Sequence, residues 1–263
     1  MNYPQKKTHT TSPVSKNKSN NIIIGRQPLI EAFEAGRGID KILLQKNANG
    51  EIIDEIRNLG KQHNVPVQFV PIEKLNTISR ANHQGVIALA ALVKYLNLQE
   101  VIDFVVGNGA TPFFIILDSV TDVRNIGAIA RTAVCCGAQA LIIPDKGVGA
   151  LNEEAMKSSA GALEKIHICR VNSLMKAVDE LHANGIKVFA SEMTAANKVH
   201  ELDFKEPCAI VMGGEEKGVF PPLMKICDST FNIPMAGKFE SLNVSVAAGI
   251  ILYEAMKQRN LDL

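Results

Sequence analysis

From residue 22 onward the apolar positions alternate between two rhythms. Positions 27–35 read as a short helix, 41–45 as a strand, and 51–63 as a helix with Ile52, Ile53, Ile56 and Leu59 on one side. A strand at 67–70, a helical turn or two at 72–78 and a near-continuous apolar strand at 85–92, buried on both faces, complete a small α/β unit. Residues 22–93 are therefore expected to form one domain. The stretch 94–111 changes character: a weak amphipathic patch, LQEVIDFVV, runs into Gly107, Asn108, Gly109 and Pro112, a cluster of breakers that predicts a linker.

Beyond it, strands at 113–118, 140–143, 165–169, 186–190, 209–213 and 230–233 are separated by helical stretches. Such alternation predicts a mostly parallel sheet covered by helices, over residues 112–263. Two helices are unusually clear. Ile126, Ile129, Ala130, Ala133, Val134 and Gly137 recur at helical spacing and leave Asn125, Ala128, Arg131 and Thr132 off the stripe. Val244, Ala247, Ala248, Ile251, Leu252 and Ala255 do the same, and the small residues Ala247, Ala248 and Gly249 permit close packing within the chain or against another copy.

Length adds that 263 residues suffice for about two domains with real cores. With 46% hydrophobic and 21% charged residues and no apolar run near 18, the chain reads as a globular protein with no membrane role. The start, MNYPQKKTHTTSPVSKNKSNN, has no apolar signal core, so a cytoplasmic location is expected. A net charge of +1 does not announce nucleic-acid binding. Lys6, Lys7, Lys16, Lys18 and Arg26, however, all precede the first acidic residue, Glu31. Residues 1–21 thus read as a disordered basic tail, either solvated or touching phosphates. The cysteines, five and without a CxxC pair, read as reduced and mostly buried, and with the scattered histidines they offer no metal spacing.

Candidate chemistry lies where strands of the second unit end, since ligands of open α/β sheets gather at the carboxyl ends. Three segments qualify: DSVTDVRNIGAIAR at 118–131, GGEEKG at 213–218 and PMAGKFESLNVS at 234–245. No GxGxxG follows the first strand, and neither a P-loop nor a GxSxG elbow is present, which argues against dehydrogenase, nucleotide-hydrolase and serine-hydrolase readings. Taken alone, Asn125 fits a helix cap, Ser241 and Asn243 fit caps of the last helix, Gly213 and Gly214 fit an ordinary turn, and Arg131 fits a solvated surface.

These segments resemble the SpoU branch of the SPOUT methyltransferases. Asn125, Gly127, Ala128 and Arg131 are similar to its N-x-x-G-A-x-x-R motif, and GGE with Gly218 to its G-x-E loop. The stretch 233–254, IPMAGKFESLNVSVAAGIILYE, closely resembles its I-P-M…S-L-N-V-S-V-A segment. Val123 stands where the family often has Pro, and Glu216 where it often has Gly. IGRQPLIEAF and HQGVIA resemble the ribosomal-protein-like substrate domain of the ribosomal-RNA branch.

The resemblance implies a parallel sheet with a C-terminal trefoil knot, a homodimer, and AdoMet-dependent 2'-O-methylation of RNA. It favours rRNA over tRNA, and a guanosine of 23S rRNA. A tRNA 2'-O-methyltransferase and a non-catalytic RNA-binding assembly protein are the alternatives. It implies that Gly213, Gly214, Gly218, Ile233, Met235 and Leu242 hold the cofactor. It places Asn125, Arg131, Glu215, Ser241 and Asn243 at the reaction centre. The family arginine is the group proposed to activate the hydroxyl, yet a guanidinium is a poor base, so Arg131 also fits a phosphate contact that stabilises the developing alkoxide. In the first unit Arg26, Arg37, His83 and Gln84 are the RNA-contact candidates, although His83 before a strand also fits a structural turn and Arg26 beside Gly25 a helix start.

Overall fold

The structure, a computed structural model, describes residues 22–237 and 241–259. The basic tail expected at 1–21 lies outside them. The first unit carries strand β1 (Ile22–Ile24), helix α1 (Arg26–Glu34), β2 (Ile39–Gln45), α2 (Glu51–Gln62), β3 (Val67–Val70), α3 (Ile72–Ile78) and β4 (Val86–Ala90). Its four-stranded sheet runs β1-β4-β2-β3, antiparallel except for the β2–β3 pair. Leu29, Ile42, Leu44, Ile53, Ile56 and Val86 form its core. Ile52, expected on the apolar side of α2, is exposed: Ile53 and Ile56 with the buried Gly60 define the inward face, and Ile52 falls beside it.

The second sheet is entirely parallel. Its elements are β5 (Tyr95–Leu96), α4 (Leu98–Gly107), β6 (Phe113–Asp118), α5 (Val123–Cys135), β7 (Ala140–Pro144), α6 (Glu153–Ser158), β8 (His167–Val171), α7 (Leu174–Ala183) and β9 (Lys187–Ser191). Then come β10 (Asn197–Lys198), β11 (Cys208–Gly213), α8 (Pro221–Lys225), β12 (Ser229–Asn232) and α9 (Val244–Gln258). The eight strands run β10-β12-β9-β11-β6-β7-β8-β5. Strand β6 is buried at every position, because α5, α6 and α9 cover one face and α4, α7 and α8 the other. Each fully buried Ile or Leu of this kind contributes roughly 1.5–3 kcal/mol.

The stretch expected as a linker is structured. Tyr95 and Leu96 pair with Ile168 and Cys169 of β8, and α4 buries Leu98, Val101, Ile102 and Val105 against the sheet. The breakers Gly107 to Pro112 only end α4; the apolar residues before them are numerous enough to pack. Asn97 caps α4 by accepting the Glu100 N–H at 3.3 Å.

Strand order reverses between β6 and β11: the chain travels outward through β7 and β8, then returns on the other side through β9 and β11. Asp118 and Gly213 are partners at the carboxyl ends of the two central strands. A crevice at this reversal is where an α/β sheet binds ligands.

Candidate cofactor and catalytic site

The wall of the crevice is a tight loop after β11. The Gly214 N–H donates to the Asp118 carbonyl at 2.8 Å, and the Gly218 N–H donates to the Gly214 carbonyl at 2.8 Å. A Cβ on Gly214 would overlap the Ser119 carbonyl, and one on Gly213 the Gly218 backbone, while Gly218 itself sits at φ +62°. Close backbone approach and a left-handed turn therefore both demand glycine here. Asp118, which sequence reasoning passed over, locks the base of the loop. Buried at 7% exposure, it accepts the Phe220 N–H at 2.6 Å and the Ser119 hydroxyl at 3.0 Å.

Between this loop and the chain leading to α9 lies a cavity of about 310 Å³. Gly213, Gly214, Gly218, Ile233, Met235 and Leu242 all line it, with Glu215 and Ser241. The structure thus brings together every residue expected at the cofactor. It adds Ser191, which ends β9, Glu192 and Met193, which follow it, and Asn232 at the end of β12. The signal for these was available, since ASEM ends a strand of the same sheet, but no motif marks it.

A second cavity of about 320 Å³ shares Gly214, Glu215, Glu216, Lys217 and Val244 with the first and is bounded beyond them by Ser119, Thr121, Asp122 and Asn125. Glu215 stands in the wall common to both. Its Oε1 accepts the Nδ2 amides of Asn243 at 2.6 Å and of Asn125 at 3.0 Å, and Asn243 Nδ2 lies 3.2 Å from Asn125 Oδ1. Among the described residues nothing donates to Glu215 Oε2. Asn243 is fixed from its other side as the cap of α9, with Oδ1 accepting the Ser245 N–H at 2.9 Å and the Ser245 hydroxyl at 2.6 Å. Asn125 is buried at 9% exposure in the first turn of α5, a position the apolar stripe did not anticipate, and the cap of that helix is Asp122.

Arg131 does not join this cluster. It is exposed and makes no hydrogen bond or ion pair with any described residue. Six residues of helix place it about 9 Å along the axis from Asn125 and on another face. Glu215, expected with it at the reaction centre, is engaged with the two asparagines instead.

In the first unit, Arg26 and Gln84 come together: Arg26 Nε donates to the Gln84 carbonyl at 3.1 Å, and Gln84 is exposed at φ +49°. His83 is buried. Its Nδ1 accepts the Gly85 N–H at 3.0 Å and its Nε2 faces Asn76 Oδ1 at 2.9 Å, so the ring is Nε2-protonated and shapes the turn. Arg37 lies beyond the far end of α1, whose 9 residues, roughly 13 Å of helix, separate it from Arg26. No group of His, Cys, Asp and Glu among the described residues is arranged to hold a metal ion. Burial pushes the thiols of Cys169 and Cys227 up to about 12, leaving neither as a nucleophile.

The parallel sheet, the crevice at its reversal and the glycine-built loop beside an asparagine–glutamate cluster define an α/β scaffold with a small-molecule site at its strand ends. Residues 112–253 match the SpoU rRNA Methylase family, and residues 22–96 match the family described as RNA 2'-O ribose methyltransferase substrate binding. A putative TrmH family tRNA/rRNA methyltransferase of Bacillus subtilis, YacO, is 34% identical over 90% of this chain and 96% of its own. A putative TrmH family tRNA/rRNA methyltransferase of Staphylococcus epidermidis is 36% identical over 91% and 96%. The crystal structure of the SpoU methyltransferase AviRb from Streptomyces viridochromogenes in complex with AdoMet superposes with a TM-score of 0.58, at 25% identity and 90% coverage of both chains. The chain belongs to the SpoU (TrmH) family. It is an AdoMet-dependent RNA methyltransferase.

The cavity suits that cofactor. A volume of about 310 Å³ is in the range of small-molecule sites, and the wall mixes apolar Met193, Ile233, Leu242 and Val244 with polar Ser191, Glu192 and Asn232, as an adenosine with a charged tail requires.

Proposed function

We propose that this protein is a 2'-O-ribose methyltransferase acting on a guanosine of 23S rRNA, as a cytoplasmic homodimer. The reading of the site rests above all on the cluster of Asn125, Glu215 and Asn243 between two adjoining cavities. AdoMet, held in the first cavity, supplies a methyl carbon made electrophilic by its sulfonium. The second cavity takes the target ribose. Glu215 Oε1 is pinned by two amides, which aims Oε2 as the acceptor for the 2'-hydroxyl proton. Ser241 and Leu242 close the wall behind the cofactor, and the backbone of 213–218 excludes water from the line of attack. Alignment of this kind lowers barriers by as much as roughly 7–11 kcal/mol in the best cases.

Arg131 belongs to the same reading through the dimer. Val246, Ile250 and Tyr253 form an exposed apolar stripe on α9, at 52%, 40% and 61% exposure, and α9 packs against α5, which carries Arg131. A second copy seated on this face buries the stripe and lets Arg131 reach the phosphate beside a target ribose, where an always-charged fork stabilises the developing alkoxide. The threading of the chain into α9 as a trefoil knot is part of the same proposal.

The small domain, matched over residues 22–96 to an RNA substrate-binding family, contributes Arg26 and Gln84 as RNA contacts, and the match of residues 112–253 to the SpoU rRNA Methylase family supports rRNA. The Bacillus and Staphylococcus relatives, described as tRNA/rRNA methyltransferases, support tRNA equally as a second reading. Incubating the protein with labelled AdoMet and either undermethylated rRNA or tRNA, then mapping the label, separates them. The proposal expects a single guanosine in 23S rRNA; label in tRNA alone refutes that substrate. Arg131→Ala is expected to lose about 100-fold or more in transfer with AdoMet affinity intact. Retention of the parent rate removes Arg131 from the chemistry.

A further inference from the structure

Arg170 points away from the pocket and into the junction between the two sheets. It sits on β8, its side chain 5% exposed, one position before that strand's carboxyl end. Nη1 donates to the Asp40 carbonyl at 2.8 Å and Nη2 to the Ile39 carbonyl at 2.8 Å, with Nη1 also 3.5 Å from Asp40 Oδ1. The register of β2 against β4 shifts between Ile39 and Lys41, so both carbonyls of this irregular step turn towards the guanidinium. Tyr95 completes the lock: its ring lies 3.7 Å under the guanidinium carbon, and its hydroxyl donates to Asp40 Oδ1 at 2.7 Å. Tyr95 is itself paired to β8, so the chain leaving the small unit is laced to the sheet where Arg170 projects.

Adhesion alone does not need such a group. Burying a guanidinium costs several kcal/mol, and apolar residues of similar size hold a junction as firmly. Nε finds no partner among the described residues, so the cost is not fully offset. What a forked donor adds is direction: two carbonyls and an aromatic face fix the relative orientation of the two units. The place matters too. Strand β8 is two positions from β6 in the sheet, roughly 10 Å, and Arg170 lies towards the same carboxyl edge as the methyl-transfer crevice.

We infer that Arg170 is a positioning residue, holding the small unit at a fixed orientation so that RNA bound there delivers one ribose to the crevice. The inference rests on the RNA methyl-transfer reading. It is tested with Arg170→Met, which keeps the bulk and removes the fork, in the full chain. Three readouts are needed: AdoMet affinity by calorimetry, amide hydrogen exchange, and steady-state transfer to undermethylated rRNA. Exchange at residues 39–41 and 95–96 is expected to rise about tenfold or more while residues 212–213 keep the parent rate. AdoMet affinity stays within about twofold, and KM for RNA rises about tenfold or more. An opened junction with unchanged RNA kinetics overturns the inference, as does AdoMet affinity that falls in step with transfer, which marks a merely structural role. Should Arg170→Met not fold, Tyr95→Phe gives the same pattern with about a threefold rise in KM, and parent kinetics with faster exchange again refute it. A parent protein that methylates no RNA at all brings down the underlying reading instead.

Discussion

Asn125, Glu215 and Asn243 at the crevice, and Asp40, Tyr95 and Arg170 at the junction, each tie together segments far apart in sequence, and they are held in opposite ways. At the crevice an exposed carboxylate meets two neutral amides, one exposed and one buried, with one oxygen left over for a substrate. At the junction a buried guanidinium spends its terminal nitrogens on backbone carbonyls and keeps nothing accessible. Burial separates the two duties: exposed polar clusters can exchange partners during turnover, whereas a buried one holds its geometry because water is not there to replace a lost bond.

The comparison breaks most completely at the glycine loop. Gly214→Val drives a side chain into the Ser119 carbonyl, and no detectable AdoMet binding by calorimetry is expected, with circular dichroism close to the parent. Retained binding would mean that the loop is not the cofactor wall. Next in size is Asn243→Asp. It preserves the oxygen that caps α9 but sets a second carboxylate beside Glu215, 2.6 Å from where the amide now donates. Transfer is expected to fall about 100-fold while stability changes by under about 1 kcal/mol, because the cap survives. Equal losses of stability and activity would show the asparagine to be a cap alone.

Smaller effects sharpen the junction. Tyr95→Phe deletes one hydroxyl donor, and denaturant unfolding is expected to show a loss of about 1 kcal/mol. The same phenol gives a pH signature. Burial, and then the Asp40 carboxylate beside it, push its ionisation well above the usual tyrosine range. A raised folded pKa favours the neutral ring, so its contribution is complete below about pH 10 and is lost as pH climbs above that value. Ultraviolet titration should show tyrosinate from Tyr95 appearing only as the junction opens; reversible ionisation with the other tyrosines in intact protein would contradict this.

The crevice was largely legible in the sequence and the junction was not. Strand ends, glycines and the IPM…SLNVS stretch advertise the pocket because local chemistry dictates them: a turn that must approach backbone closely admits only glycine, and a cap admits few residues. Asp118 and the residues after β9 escaped notice because their partners lie far along the chain, at Phe220 and across the cavity. Arg170 gave no signal at all, since it stands just past the strand expected at 165–169 and only the completed fold puts Asp40 against it. The supposed linker failed for a related reason. Its breakers are visible locally, whereas the burial of the apolar residues of α4 emerges only in the completed sheet. His83 is the converse case, a polar residue that looked presentable to RNA and is consumed by its own turn.

The central claim, that the crevice brings a methyl donor to a ribose hydroxyl, is tested most directly by the alkali stability of the product. RNA labelled by the protein from methyl-labelled AdoMet is hydrolysed to completion in base, and a methylated 2'-oxygen blocks cleavage of its own phosphodiester. Label recovered in alkali-resistant dinucleotides is the expected result; label released on mononucleotides, which marks a methylated base, would contradict the account.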